Sequence, residues 1–125
     1  MAEAELPVLD ASVLAELSAA VGDDRAFVNE LIEAYLADAP AHIAAIHQAA
    51  ADRNAAALVR PAHTLKSSSA TVGGQQIAAR SRRLEFAGRE ERLDEAATQD
   101  DVAGLDADWE AVSAALRQWM DGLPA

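Results

Sequence analysis

The stretch DDRAFVNELIEAYLADAPAHIAAIHQAA, residues 23–50, carries apolar residues that recur with the 3.6-residue period of an α-helix. Asp23 is expected to begin this helix. Pro40 removes one backbone donor, but the apolar stripe resumes in register beyond it, so the pattern predicts one kinked helix that continues. The positions predicted to face inward are Phe27 or Val28, Leu31, Ile32, Tyr35, Ala39, Ile43, Ile46 and Ala50.

Apolar residues follow the same helical period on both sides of this stretch. Upstream, Asp10 is a plausible cap for a short helix that Gly22 ends. Downstream, three more helices are expected, over about 54–72, 75–87 and 92–120. Gly73 and Gly74 are expected to provide a left-handed exit from the first of these three, and Gly88 to stop the second.

The helix predicted over 75–87 has its apolar positions at Ile77, Ala78, Leu84 and Phe86. The last helix has apolar residues at strict four-three-four-three spacing, and Gly104 is expected to loosen its first half. These apolar residues are Leu105, Trp109, Val112, Leu116 and Trp119.

No stretch alternates as a half-buried strand does, so the sequence predicts an all-α protein. Four helices with short connections pack most economically as an antiparallel up-down four-helix bundle, and the short N-terminal helix would cover one end. The predicted domain is 9–122, with tails at 1–8 and 123–125.

Composition limits the classes of function. The 125 residues suffice for one domain with its own core, and the absence of cysteine excludes disulfides and thiolate metal sites. The N-terminus resembles no signal peptide, and no apolar run is long enough to span a membrane, so a cytoplasmic protein is expected. A net charge of −11 argues against nucleic acid as a partner. A monomer is expected.

The charge is unevenly distributed along the chain. Residues 53–84 contain no acidic residue but hold six of the ten basic residues. The only lysine, Lys66, lies in this acid-free window, three residues after His63.

His63, Lys66, Ser67 and Ala70 share one face of their predicted helix, because residues three and four apart are neighbours. If the apolar side faces the bundle, this face meets water. An exposed neutral imidazole is a competent nucleophile near pH 7, and a nearby ammonium can neutralise a phosphoryl group that arrives on it. The small residues would let a partner come close.

The strings AHTLKSSSATVGG (62–74), GDDRAFVNELIEAYLADAP (22–40) and RRLEFAGRE (82–90) resemble the histidine-containing phosphotransfer (HPt) domain of phosphorelays. The resemblance extends over about 9–116. It implies a four-helix bundle whose exposed histidine takes a phosphoryl group from the aspartate of one receiver domain and gives it to that of another. The implied partners are receiver domains of response regulators or hybrid sensor kinases. Any divalent metal would belong to the receiver, so no cofactor is expected.

The resemblance also implies roles for single residues. His63 would be the phosphoacceptor through Nε2, and Lys66 would pair with the phosphate. Glu85 stands where the family often has a residue that hydrogen-bonds the other ring nitrogen. Arg89 matches a basic residue just beyond it, and Gly73 matches the glycine that ends the histidine's helix. Ser67 departs from the family's usual glycine, and its hydroxyl could donate a hydrogen bond to the phosphate.

Several of these residues have simpler interpretations. Glu85 could instead pair with Arg89 at the i,i+4 spacing. Arg80 and Arg83 could form a solvated face or help to dock an acidic receiver surface. His42 and His47, five residues apart, face different directions and lack a third ligand, so no metal site is expected.

The main alternative function is an interaction module: a helical bundle that binds or sequesters a receiver while its histidine is never phosphorylated. A kinase is not expected. The sequence has no glycine-rich nucleotide loop, and a bundle of this length leaves no room for an ATP-binding domain.

Overall fold

The computed structural model describes residues 6–122, and within that range the chain forms five α-helices and no strand. The predicted tails at 1–8 and 123–125 lie largely outside these residues. The all-α prediction is confirmed. The helices are α1 (Ala11–Ala20), α2 (Arg25–Ala51), α3 (Ala55–Thr71), α4 (Gln75–Arg89) and α5 (Ala96–Met120).

Helices α2 to α5 close a bundle, because α2 packs on α3, α3 on α4, α4 on α5, and α5 again on α2. Helix α1 covers the end of the bundle at which α3 turns into α4. The backbone N–H of Asp10 donates to the Gly73 carbonyl at 2.8 Å, and Leu14 is fully buried. The largest fully buried side chains of the bundle are Ile32, Ile46, Leu58, Leu65, Ile77, Leu84, Leu105 and Leu116.

Helix α2 is a single helix that runs through Pro40, as predicted. Its N-cap is Asp24, one residue later than the expected start at Asp23. Asp24 caps it by accepting a hydrogen bond from the Phe27 N–H at 3.1 Å, whereas Asp23 has a left-handed φ of 60° in the preceding turn. Phe27 is 42% exposed, so Val28 is the inward residue of that pair.

The prediction that Gly88 stops α4 was wrong. Gly88 lies inside the helix, where a Cβ would come within 2.9 Å of the Ala55 carbonyl oxygen and 3.0 Å of a Val59 methyl. This glycine therefore lets the α3 and α4 backbones approach each other closely. Phe86, predicted to be a core residue, is 48% exposed because it faces away from both neighbouring helices.

Helix α5 begins at Ala96 rather than Arg92, because the preceding residues form turns that bury Leu93. Gly104 does not interrupt the helix. The Arg80 guanidinium lies where a Cβ would project from Gly104, so this glycine makes room for an α4 side chain.

Candidate functional site

His63 lies midway along α3, on the flank that faces α4. The inward positions of α3 are filled by Leu58, Ala62 and Leu65, so the imidazole is turned toward the edge of the bundle and is 54% exposed. Its Nδ1 lies 3.0 Å from Oε2 of Glu85 on α4. The face of α3 that was predicted to be exposed is therefore exposed, and the His63 ring on this face contacts a carboxylate of α4.

Glu85 is a buried carboxylate with three partners. Lys66 Nζ donates to Oε1 at 2.7 Å, and Arg89 donates to Oε2 through Nη2 at 2.8 Å and Nε at 3.1 Å. The two interpretations of Glu85 from sequence, a pair with Arg89 and a hydrogen bond to the His63 ring, describe contacts that exist together. The contact between Lys66 and Glu85 was not predicted, because it depends on how closely α3 and α4 approach.

The protonation states at the site follow from these contacts. Burial raises the pKa of the Glu85 carboxyl, but the hydrogen bonds from its three partners outweigh burial and lower the pKa to about 2. An ionised carboxylate can only accept hydrogen bonds. When the His63 ring is neutral, its Nδ1 must therefore carry the proton, and the Nε2 lone pair is free.

Ser67 and Ala70 are exposed and small, so they place no bulky side chain on the α3 surface next to His63. Gly73 lies ten residues after His63, about 15 Å farther along the helix direction. It has a φ of 84°, and a Cβ would come within 2.6 Å of the Asp10 carbonyl oxygen. Gly73 therefore ends α3 and contacts the N-terminal segment, at a distance from the imidazole.

Arg80 and Arg83 face α5. Arg80 Nε donates to Asp108 at 2.6 Å, and Arg83 donates to both carboxylate oxygens of Asp101, at 2.7 and 2.9 Å. Arg80 also contacts Asp101 at 3.2 Å. These two charges are compensated inside the chain, and the role in docking given to them from sequence stays a prediction.

The model of the Hpt domain family matches residues 30–120. The chain belongs to the Hpt domain family. It is a histidine phosphotransfer protein of a phosphorelay, and its partners are receiver domains.

The fold of this Hpt domain is also that of a solved structure. Histidine-containing phosphotransfer protein B (HptB) from Pseudomonas aeruginosa PAO1 superposes with a TM-score of 0.81 at 23% identity. The match covers 94% of this chain and 98% of that one. A search of curated proteins found no match. Within residues 6–122, no helix is long and apolar enough to cross a membrane.

A groove of about 290 Å³ separates α2 from α3 on the other flank of this Hpt domain's histidine helix. Tyr35 closes its floor by a 2.7 Å hydrogen bond with Ser69, and burial raises the pKa of the Tyr35 phenol to about 12. His42 lines this groove, whereas His47 pairs with Asp106 on α5 at 3.1 Å. In the described part of the chain, no three His, Asp or Glu side chains form a group that could hold a metal ion.

Proposed function

We propose that His63 is the phosphoacceptor of this Hpt domain. The observation that carries the proposal is the hydrogen bond from His63 Nδ1 to the ionised Glu85 carboxylate. It places the ring's proton on Nδ1 and leaves Nε2 as an unprotonated nucleophile on a ring that is 54% exposed. Within residues 6–122, His42 has no hydrogen bond to a carboxylate, and the Asp106 carboxylate that His47 contacts binds no lysine or arginine, unlike Glu85.

In the proposed step, the Nε2 lone pair attacks the phosphorus of a receiver's aspartyl phosphate. The N–P bond forms as the bond between phosphorus and the aspartate oxygen breaks, and the aspartate leaves as a carboxylate. The Nδ1 proton stays on the ring and continues to hydrogen-bond to Glu85. The reverse reaction passes the phosphoryl group to the aspartate of a second receiver.

Lys66 and Arg89 supply positive charge to the arriving phosphoryl group. Both bind Glu85 in the unphosphorylated protein. Lys66 is therefore held one turn of α3 from His63, and Arg89, on α4, is held at the same carboxylate that contacts the His63 ring. Because the two cations outnumber the single Glu85 carboxylate, the site keeps a surplus of positive charge with which to stabilise the phosphoryl group. Glu85 is a positioning residue, because it orients both the ring and the Lys66 ammonium.

The chain acts as a phosphorelay intermediate without kinase activity of its own, and it uses no cofactor. The divalent metal for the transfer is held by the receiver domain. The protein works as a monomer in the cytoplasm.

The test is transfer of labelled phosphate. Receiver domains are loaded with ³²P from labelled acetyl phosphate and mixed with the full chain. Wild-type protein should take up label that is acid-labile and base-stable, as expected of a phosphohistidine. The His63→Gln variant should take up none.

The chain offers matched controls in its other two histidines. His42→Gln and His47→Gln should take up label as the wild type does. Label retained by the His63→Gln variant would overturn the assignment of the phosphoacceptor. Binding of a loaded receiver without any uptake by the wild type would favour the interaction module instead.

A further inference from the structure

Most arginines of the acid-free window are paired inside the molecule. Arg53 contacts Asp94 at 2.9 Å, and Arg80 and Arg83 contact the aspartates of α5. Within residues 6–122, the side chains of Arg60 and Arg82 make no hydrogen bond or ion pair, and the Arg82 guanidinium lies over an aromatic ring. Both are exposed. The uncompensated charge of the window is therefore concentrated on Arg60 and Arg82.

These two arginines flank the His63 ring. Arg60 precedes His63 by one turn of α3, and Arg82 precedes Glu85 by one turn of α4, so each shares a helix face with a residue of the site. Glu85 contacts His63, and α3 and α4 run antiparallel because a short turn joins them, so Arg60 and Arg82 lie one turn from this contact in opposite directions along the bundle.

Phe86 completes this surface. It directly follows Glu85, is 48% exposed, and lies under the Arg82 guanidinium, whose Cζ is 5.3 Å from the ring centroid. Arginine and aromatic side chains are both enriched in protein interfaces. The stacking also restricts Arg82 before any partner arrives, which lowers the entropic cost of binding.

We infer that Arg60, Arg82 and Phe86 form a docking rim for a receiver domain that presents carboxylates around its aspartate. The inference deepens the proposed function and rests on it. The positive charge of the rim selects an acidic partner, whereas the groove between α2 and α3 is lined by Asp38 and His42 and by no lysine or arginine. The rim is also continuous with the phosphotransfer site.

The test measures association and transfer separately. The double variant Arg60→Glu/Arg82→Glu is compared with Arg117→Glu, which changes an exposed arginine of α5 that has no ion pair within residues 6–122. Association with each receiver domain is followed by stopped-flow fluorescence at 50 mM and 500 mM NaCl, and label uptake is measured in parallel. Circular dichroism checks that every variant is folded.

The double variant should associate about 10-fold more slowly than wild type at low salt, and the difference should shrink at high salt. Arg117→Glu should associate as the wild type does. Phe86→Ala should dissociate faster at both salt concentrations, because its contribution is apolar contact.

The outcomes separate this inference from the proposed function. Equal association by the double variant and Arg117→Glu, with normal uptake of label by the wild type, would overturn the docking rim alone. If the double variant associates more slowly but the wild type takes up no labelled phosphate, only the assignment of His63 as the phosphoacceptor would be overturned. If no receiver associates with the wild type, both are wrong.

Discussion

Lys66 Nζ lies 2.7 Å from Glu85 Oε1, so in the unphosphorylated protein the only lysine of the chain is bound to a buried carboxylate of the next helix. The ammonium is thereby held near His63 before any phosphoryl group arrives. Little of its side-chain entropy remains to be lost when the phosphate binds, which is how preorganised charges accelerate a reaction.

Replacing Lys66 with alanine should slow phosphoryl transfer by about 10- to 100-fold, because one cation that stabilises the transferred group is lost. The label uptake assay measures this rate. Lys66→Arg should retain part of the activity, and the helical circular dichroism of both variants should match the wild type. An unfolded Lys66→Ala protein would mean that the lysine acts in folding instead.

The Glu85 carboxylate should make the protein sensitive to acid. Its pKa is lowered to about 2 in the folded protein, against an ordinary 4.5 when unfolded, so the unfolded state binds more protons between these values. The stabilisation is fully present above about pH 4.5 and is lost as the pH falls toward 2. Its size is up to about 3 kcal/mol, reduced by solvent screening at the half-exposed Arg89.

Urea unfolding at pH 7, 4.5 and 3 tests this prediction. The free-energy difference between wild type and Glu85→Gln should narrow as the pH falls, since glutamine does not titrate. A difference that stays constant over this range would contradict the lowered pKa of Glu85.

Gly88→Ala should destabilise the bundle by about 1 to 2 kcal/mol. The added Cβ would lie 2.9 Å from the Ala55 carbonyl oxygen, and the strain of overpacking exceeds the roughly 1 kcal/mol that alanine gains in helix propensity. The free energy of unfolding in urea measures the effect. Gly88→Val should cost more. An alanine variant as stable as the wild type would show that α3 and α4 can separate freely.

Tyr35→Phe should destabilise the protein by about 1 to 2 kcal/mol, because the buried Ser69 hydroxyl loses its partner at 2.7 Å. The double variant Tyr35→Phe/Ser69→Ala removes both hydroxyls and should recover part of this loss. Thermal or urea unfolding of four proteins, the wild type, Tyr35→Phe, Ser69→Ala and the double variant, gives the coupling energy. No recovery in the double variant would mean that the two hydroxyls contribute independently.

The sequence predicted the parts of the fold that depend on local pattern. Asp10 caps α1 as expected, and α2 continues through Pro40. The errors arose where tertiary contacts decide. Glycine often ends a helix, but the backbone at Gly88 is helical because α3 packs against it. Phe86 was predicted to be a core residue, although no helix covers it.

The sequence also predicted part of the candidate site, and it missed the contacts that join α3 to α4. Spacing placed His63 and Lys66 on one exposed face, and the family resemblance pointed to Glu85 behind the ring. The binding of Lys66 and Arg89 to the same carboxylate could not be read from spacing, since it requires the register between α3 and α4. The acid-free window identified a basic segment but not which of its arginines are paired, because their aspartates lie on α5.

Helix α4 carries arginines with opposite surroundings at adjacent positions: Arg83 binds Asp101 on α5, whereas Arg82 faces outward over Phe86. Substituting Arg80, Arg83 or one of their aspartates alone would leave a partly buried charge on α4 or α5 without its partner. Arg82 is free of that constraint, so it can vary with the partner. Duplicated copies of such a protein could thus acquire different receivers by point substitutions on one side of α4 while the scaffold on its other side stays the same.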